Sequence, residues 1–87
     1  MNRKKRIQSI LLSNFKDCKV RIIDNSIEHN GHNNFNGQQE SHFQIILSKN
    51  PSDKKSTLFI HRKINDLLKH EFLNGLHALE IKIVLLN

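Results

Sequence analysis

Residues 41–48 read Ser-His-Phe-Gln-Ile-Ile-Leu-Ser, and this stretch decides the fold that the sequence predicts. Apolar Phe43, Ile45 and Leu47 alternate with a second set of side chains that begins with His42. An alternation with a period of two is typical of a β-strand that buries one of its faces. Two other segments alternate in the same way and predict two more strands, residues 18–24 and 77–86.

Two further segments carry apolar residues at helical spacing. The first, residues 6–15, places Ile7, Ile10, Leu11 and Phe15 on one helical face. A second apolar face lies between the second and third predicted strands and consists of Ile60, Ile64, Leu67, Leu68 and Phe72. Each segment therefore predicts one amphipathic helix.

Capping residues and charge mark the borders of these helices. Ser56 or Thr57 can cap the second helix at its start. Asn74-Gly75 is a stop signal, in which Gly75 takes the left-handed conformation after the last helical turn. The cations within residues 2–6 precede the first helix at the positive end of its dipole, where they are mildly unfavourable. We expect these cations to fray into solvent.

The predicted order of elements is α-β-β-α-β in a single domain, residues 1–87. Both helices must bury their apolar faces on one side of a three-stranded sheet, which makes an α+β two-layer sandwich. The second and third strands are joined through a helix and should run parallel with a right-handed crossover, whereas the first two should be antiparallel. The sheet is therefore mixed, and its other face, with Glu80 and Lys82, should be open to solvent.

Composition restricts the function. The chain has 14 Lys and Arg against 8 Asp and Glu, and a formal charge of +6 suits a polyanion or an acidic protein face as partner. The single cysteine, Cys18, excludes an internal disulfide and fits a reducing, cytoplasmic location. Its phase with Val20 and Ile22 predicts a buried, inert thiol.

No apolar run approaches the roughly 18 residues of a membrane span. No nucleophile elbow, phosphate loop or paired-carboxylate motif indicates an enzyme.

The segment between the first two strands is polar, rich in Asn and Gly, and lacks periodicity. Loops of about 16 residues are uncommon in compact domains and are usually functional or disordered. Three of the six histidines, His29, His32 and His42, fall within residues 26–42. From the residues alone each can be a solvated or hydrogen-bonded side chain, and His29 and His32 could join a third imidazole in a zinc site.

Five pieces of the chain, in this order and spacing, resemble BolA-like proteins: Asp24-Asn-Ser26, His29, Glu40-Ser-His-Phe43, His61-Arg62 and Gly75-Leu-His-Ala-Leu79. The resemblance implies a BolA fold, similar to the type II K-homology topology. It also implies a partner, a monothiol glutaredoxin, and a shared bridging [2Fe-2S] cluster that serves iron–sulfur protein maturation, trafficking or iron-status signalling. Asn50-Pro51-Ser52 stands where the family usually has Phe-x-Gly, and Ile60 where Arg is common.

The resemblance also implies the ligands. His77 and His29 occupy the ligand positions, with His61 and His32 as candidate supporting residues. Alternation alone places His77 in phase with the core-facing Leu79 and favours a structural role. Two imidazoles can serve one iron, as in Rieske centres, while glutaredoxin and glutathione supply thiolates to the other. Because only a neutral imidazole nitrogen binds a metal, cluster binding should weaken below about pH 6. The free chain is expected to be a monomer or weak homodimer.

Nucleic-acid binding is the alternative function, because some BolA-like proteins resemble DNA-binding transcription regulators. The basic residues Lys54, Lys55, Arg62 and Lys63 could hold phosphates. A K-homology domain grips the nucleic-acid backbone through a Gly-x-x-Gly loop, and this sequence has none. The same four cations could instead form a solvated surface or a docking face for the glutaredoxin.

Overall fold

A computed structural model describes residues 2–25 and 41–86 of the protein. Its elements are α1 (Arg3–Asn14), β1 (Lys19–Asp24), β2 (His42–Lys49), α2 (Thr57–Leu67), α3 (Lys69–Leu73) and β3 (Ala78–Leu85). None of the helices in these two ranges is long and apolar enough to cross a membrane.

The three strands form one mixed sheet with β2 in the centre. β1 pairs with β2 in antiparallel fashion, and β2 pairs with β3 in parallel. This topology and the helices on one side confirm the predicted α+β fold. The observed strands begin or end within about one residue of the predicted ones, as boundary assignments usually do.

The core lies between the helices and one face of the sheet. The predicted alternation along β2 is confirmed, because Phe43, Ile45 and Leu47 are all buried. The face of α1 is confirmed as well, and Ile7 and Leu11 are fully inaccessible to solvent. The remaining buried apolar side chains come from the other elements and their connections: Phe15, Ile22, Ile60, Ile64, Leu68 and Leu76.

The second predicted helix is divided in two. α2 ends at Leu67, Leu68 caps it, and α3 begins at Lys69. The break shifts the helical phase, so the prediction that Phe72 belongs to the core is wrong: its side chain is 37% exposed. Glu71 is buried in that turn instead, with 8% of its surface accessible.

Glu71 is neutralised by two cations of α1. Arg3 Nε donates to its Oε1 at 3.0 Å, and Arg6 Nε donates to its Oε2 at 2.9 Å. The expectation that the N-terminal cations fray into solvent is therefore wrong for this charged cluster of Arg3, Arg6 and Glu71. The Arg6 hydrogen bond, followed by that of Arg3, holds the pKa of Glu71 below its ordinary value, although burial opposes this shift.

The predicted start and end of the second helical region are confirmed, whereas α1 begins at Arg3 rather than at Arg6. The cations predicted to precede α1 therefore lie within it. The Ser56 hydroxyl accepts a hydrogen bond from the Phe59 backbone N–H at 3.0 Å and so caps α2. Gly75 has φ of 115°, a conformation that side chains disfavour. A Cβ on Gly75 would also stand 3.2 Å from an Arg3 guanidinium nitrogen. The turn that leads into β3 is thus packed against the charged cluster.

Candidate metal centre

One end of the sheet brings three chain segments together. Because β1 is antiparallel to β2 and β3 is parallel to it, the end of β1 lies beside the beginnings of β2 and β3. The Asn25 N–H donates to the His42 carbonyl at 2.8 Å, and the His77 N–H donates to the Ser41 carbonyl at 2.8 Å. Asn25 and Ser41, the described residues on either side of residues 26–40, therefore both lie at the end of the sheet where His77 stands.

The imidazole of His77 is exposed at this end. Its ring meets the ring of His42 edge-on, with 6.0 Å between the centroids and 73° between the planes. The phase with Leu79 favoured a structural role, but His77 precedes Ala78, the first residue of β3, so the strand alternation does not yet apply to it. An exposed imidazole at an element boundary is accessible to a metal held jointly with another protein.

Ser41 connects the two histidines. Its carbonyl accepts hydrogen bonds from the backbone N–H groups of His77 and Ala78, at 2.8 and 3.1 Å. Its hydroxyl oxygen lies 2.8 Å from Nδ1 of His42. Ser41 is buried, so these contacts fix the backbone of one histidine and the ring of the other. We call Ser41, His42 and His77 the imidazole cluster.

Sequence reasoning missed the positions of Ser41 and His42 in this cluster. The sequence signal was present, since both belong to the Glu40-Ser-His-Phe43 stretch that carries the family resemblance. Their contact with His77 follows from the parallel pairing of His42 with Ala78. That pairing joins residues far apart in the sequence, so no local sequence pattern predicts it.

The single thiol lies at the opposite end of the sheet. Cys18 precedes Lys19, which pairs with Ser48 of β2. Ser48 is about 20 Å from His42 along the strand at the usual rise per residue. Cys18 is half-buried, and burial followed by the charge of Asp53 raises the pKa of its thiol. Such a thiol is a poor metal ligand and nucleophile, and it is too distant to share an iron with His77.

The other three histidines predicted as ligands or supporting residues are not found beside His77 in the described residues. His29 and His32 lie outside the described residues. His61 is half-buried in α2, where its carbonyl accepts a hydrogen bond from the Asn65 side chain at 2.9 Å. The supporting role of His61 stays a prediction. Across residues 2–25 and 41–86, no three His, Cys, Asp or Glu side chains converge as a metal-binding group.

The four basic residues considered for nucleic-acid binding lie in α2 and just before it: Lys54, Lys55, Arg62 and Lys63. The ammonium group of Lys63 sits 5.6 Å from the ring centre of Phe15 and 6.0 Å from that of Phe59. Lys55 pairs with the carboxylate of Asp53 at 3.3 Å. Two of the four cations thus make contacts within the chain, and the phosphate-binding role of the four residues stays a prediction.

Comparison with known proteins agrees with the fold. A family model described as BolA-like protein matches residues 11–85. The chain is 36% identical over 77 residues to a Sinorhizobium sp. protein named "Uncharacterized protein in cobS 5′ region", a match covering 87% of this chain and 83% of that protein.

Two solved structures from Arabidopsis thaliana are similar over 98% of this chain. BolA1 superposes with a TM-score of 0.79 at 29% identity, with 93% of its own chain covered. The BolA domain of SufE1 superposes with a TM-score of 0.76 at 30% identity, with 94% covered. The family match, the sequence relative and these two folds agree, and the chain belongs to the BolA-like protein family.

Proposed function

We propose that this protein is an adaptor that binds a monothiol glutaredoxin and shares a bridging [2Fe-2S] cluster with it. In this proposal His77 and His29 supply the ligands of this chain. The cysteine of the glutaredoxin and a bound glutathione supply the others. Membership of the BolA-like family supports an adaptor or regulator rather than an enzyme.

The position of His77 is the observation that carries the proposal. Its exposed ring stands at the end of the sheet that also holds Asn25 and Ser41, the described residues that flank residues 26–40. His29 follows Asn25 by four residues, a length of chain that spans at most about 14 Å. Asn25 is hydrogen-bonded to His42, and the ring of His42 touches that of His77. Covalent geometry therefore permits His29 to reach the neighbourhood of His77.

The donor chemistry of the chain fits a shared cluster. Four protein-type ligands are needed, and the sequence contains one cysteine, which lies at the far end of the sheet from His77. Thiolates must therefore come from another molecule, whereas two imidazoles can complete one iron. When bound, a cluster with this mixed ligation supplies an iron–sulfur unit of higher potential than one held by thiolates alone.

Reconstitution with a monothiol glutaredoxin, glutathione, iron and sulfide tests the proposal. The expected result is a coloured heterodimer, identified by visible absorbance and by the mass of the intact complex. His77→Ala should reduce the bound iron by at least about tenfold, since it removes a ligand outright. His70→Ala is the matched control, because His70 is an exposed imidazole on α3 and should leave the iron content unchanged.

The second ligand is tested separately. His29→Ala should lower the bound iron about as far as His77→Ala does, and His32→Ala should not. A heterodimer that retains its full iron content in both His29→Ala and His77→Ala would contradict ligation by this chain. Failure of the wild-type protein to form any complex with the glutaredoxin would contradict the adaptor function itself.

A further inference from the structure

The face of the sheet that points away from the helices, the open face, has its own charge pattern. Arg21 of β1, Ile46 of β2 and Lys82 of β3 are paired in one row across the three strands. Ile46 alternates with the buried Ile45 and Leu47, so this row lies on the side opposite the core. Lys19 lies two residues before Arg21 and therefore projects on the same side.

The cations of the open face form no ion pair within residues 2–25 and 41–86. Lys19, Arg21 and Lys82 are all exposed, and the ion pairs formed inside residues 2–25 and 41–86 involve other side chains. Glu80 is the one carboxylate that the strand pairing places on this face, and it accepts a hydrogen bond from Gln44 at 3.4 Å. Three cations against one carboxylate leave a net charge of +2.

An apolar strip runs between these cations. Ile23, Ile46 and Val84 are half-buried, and the packed helices lie on the opposite side of the sheet. Half-buried aliphatic side chains next to unpaired cations suit an acidic face of another protein, which buries the remaining apolar surface and neutralises the charge. The sequence has no Trp or Tyr, and the phenylalanines within residues 2–25 and 41–86 lie elsewhere. The described residues of this face therefore include no large aromatic platform of the kind that single-strand nucleic-acid binders use.

The open face is continuous with the imidazole cluster. His42 lies on the same side of β2 as Ile46, about 13 Å away along the strand. The ring of His42 contacts that of His77. A protein interface of standard size buries about 800 Å² on each partner and is therefore roughly 28 Å across. A partner that reaches His77 is thus large enough to cover the row of Arg21, Ile46 and Lys82 as well.

We propose that the open face is the surface on which the thiolate-supplying partner docks, through an acidic face of that partner. This inference rests on the proposed function and assigns the surface that the function requires. Lys19, Arg21 and Lys82 steer the partner and hold it, while His77 stands at the margin of the interface. The helical side of the molecule, with Lys54 and Arg62, stays outside the contact.

Isothermal titration of a monothiol glutaredoxin into the full chain, without iron or sulfide, tests this surface. Arg21→Glu combined with Lys82→Glu should weaken binding by at least about tenfold and remove most of its dependence on salt between about 0.05 and 0.5 M. The matched control is Lys54→Glu combined with Arg62→Glu, which makes the same change of charge within α2 and just before it. It should alter the affinity by less than about twofold.

Thermal unfolding of each variant establishes that it is folded, and Arg21→Gln with Lys82→Gln replaces the double reversal if that variant is not. If the control variant binds the glutaredoxin weakly while the open-face variants bind it normally, the proposed docking surface is wrong. The proposal of cluster sharing would remain. The absence of any complex, with or without iron and sulfide, would overturn both proposals. A single-stranded 20-nucleotide DNA is the second ligand to test. If the wild type binds it, and the open-face variants lose DNA binding but keep their affinity for the glutaredoxin, the open face is a nucleic-acid surface instead.

Discussion

The charged cluster and the imidazole cluster are both built from residues far apart in the sequence, but they satisfy their polar groups differently. In the charged cluster, two guanidinium groups of α1 neutralise one buried carboxylate, and every charge has its partner inside the chain. In the imidazole cluster, a buried serine fixes the backbone of His77 and leaves its ring exposed. The first arrangement stabilises the fold, whereas the second presents a ligand.

The two clusters are also joined by a short connection. The Leu76 N–H donates to the Glu71 carbonyl at 2.9 Å, and the Arg3 guanidinium donates to the Asn74 carbonyl. His77 follows directly after this turn. The charged cluster therefore holds the turn from which the imidazole is presented. Substitutions in the charged cluster should mainly lower the stability of the fold. Substitutions in the imidazole cluster should lower metal binding with little loss of stability.

Glu71→Gln should have the largest effect on stability. Removing one partner of a buried ion pair typically costs 3–5 kcal/mol, and the partial exposure of Arg6 reduces our expectation to about 2–3 kcal/mol. Urea unfolding at pH 7 measures this loss. Glu80→Gln is the control, since Glu80 is exposed and should change the free energy of unfolding by less than about 0.5 kcal/mol. Equal losses in the two variants would show that the charged cluster is not a stabilising feature.

Acid should remove part of the same stabilisation. The pKa of Glu71 is lowered in the folded protein, chiefly by the Arg6 hydrogen bond, so the unfolded chain takes up this proton at the higher pH. The contribution of Glu71 is therefore complete above its ordinary pKa of 4.5 and is lost as the pH falls through the lowered value. Urea midpoints between pH 7 and 3 should fall less steeply in Glu71→Gln than in the wild type. Parallel curves would contradict the assignment.

The sheet could be predicted from the sequence because its signal is local. Phe43, Ile45 and Leu47 alternate within one strand, and burial of that face needs no knowledge of distant residues. The burial of Glu71 could not be predicted in this way. It depends on a helix break at Leu68 and on cations 65 and 68 residues away in the chain. A periodic pattern assumes an unbroken helix and contains no information on such partners.

The candidate site was predictable only in part. His77 was identified from the family resemblance, since its phase with Leu79 favoured a structural role. Its exposure follows from its position just before β3. The contact between His77 and His42 depends on the pairing of β2 with β3, and so could not be read from spacing. The positive charge of the open face could not be predicted either. It depends on the strand register, which places Arg21 and Lys82 on either side of Ile46 of the central strand.

Ser41→Ala should have an intermediate effect. It removes the hydroxyl beside Nδ1 of His42 but keeps the carbonyl that binds the His77 backbone, so the expected cost is about 1 kcal/mol. The ring of His42 should become mobile, and NMR of the imidazole protons of His42 and His77 would report it. Ser48→Ala is the control, because it removes a half-buried hydroxyl at the other end of β2. Unchanged ring signals in Ser41→Ala would mean that the hydroxyl does not position His42.

His77→Ala should have the smallest effect on stability and therefore separates the two clusters most clearly. The ring is exposed and its backbone hydrogen bond to Ser41 survives the substitution, so urea unfolding should change by less than about 0.5 kcal/mol. Glu71→Gln should do the reverse, losing stability while the fraction that remains folded keeps its capacity for iron in the reconstituted complex. If His77→Ala instead unfolds the protein as readily as Glu71→Gln does, the imidazole is a structural residue. A loss of iron from the His77→Ala complex would then reflect unfolding and would say nothing about ligation.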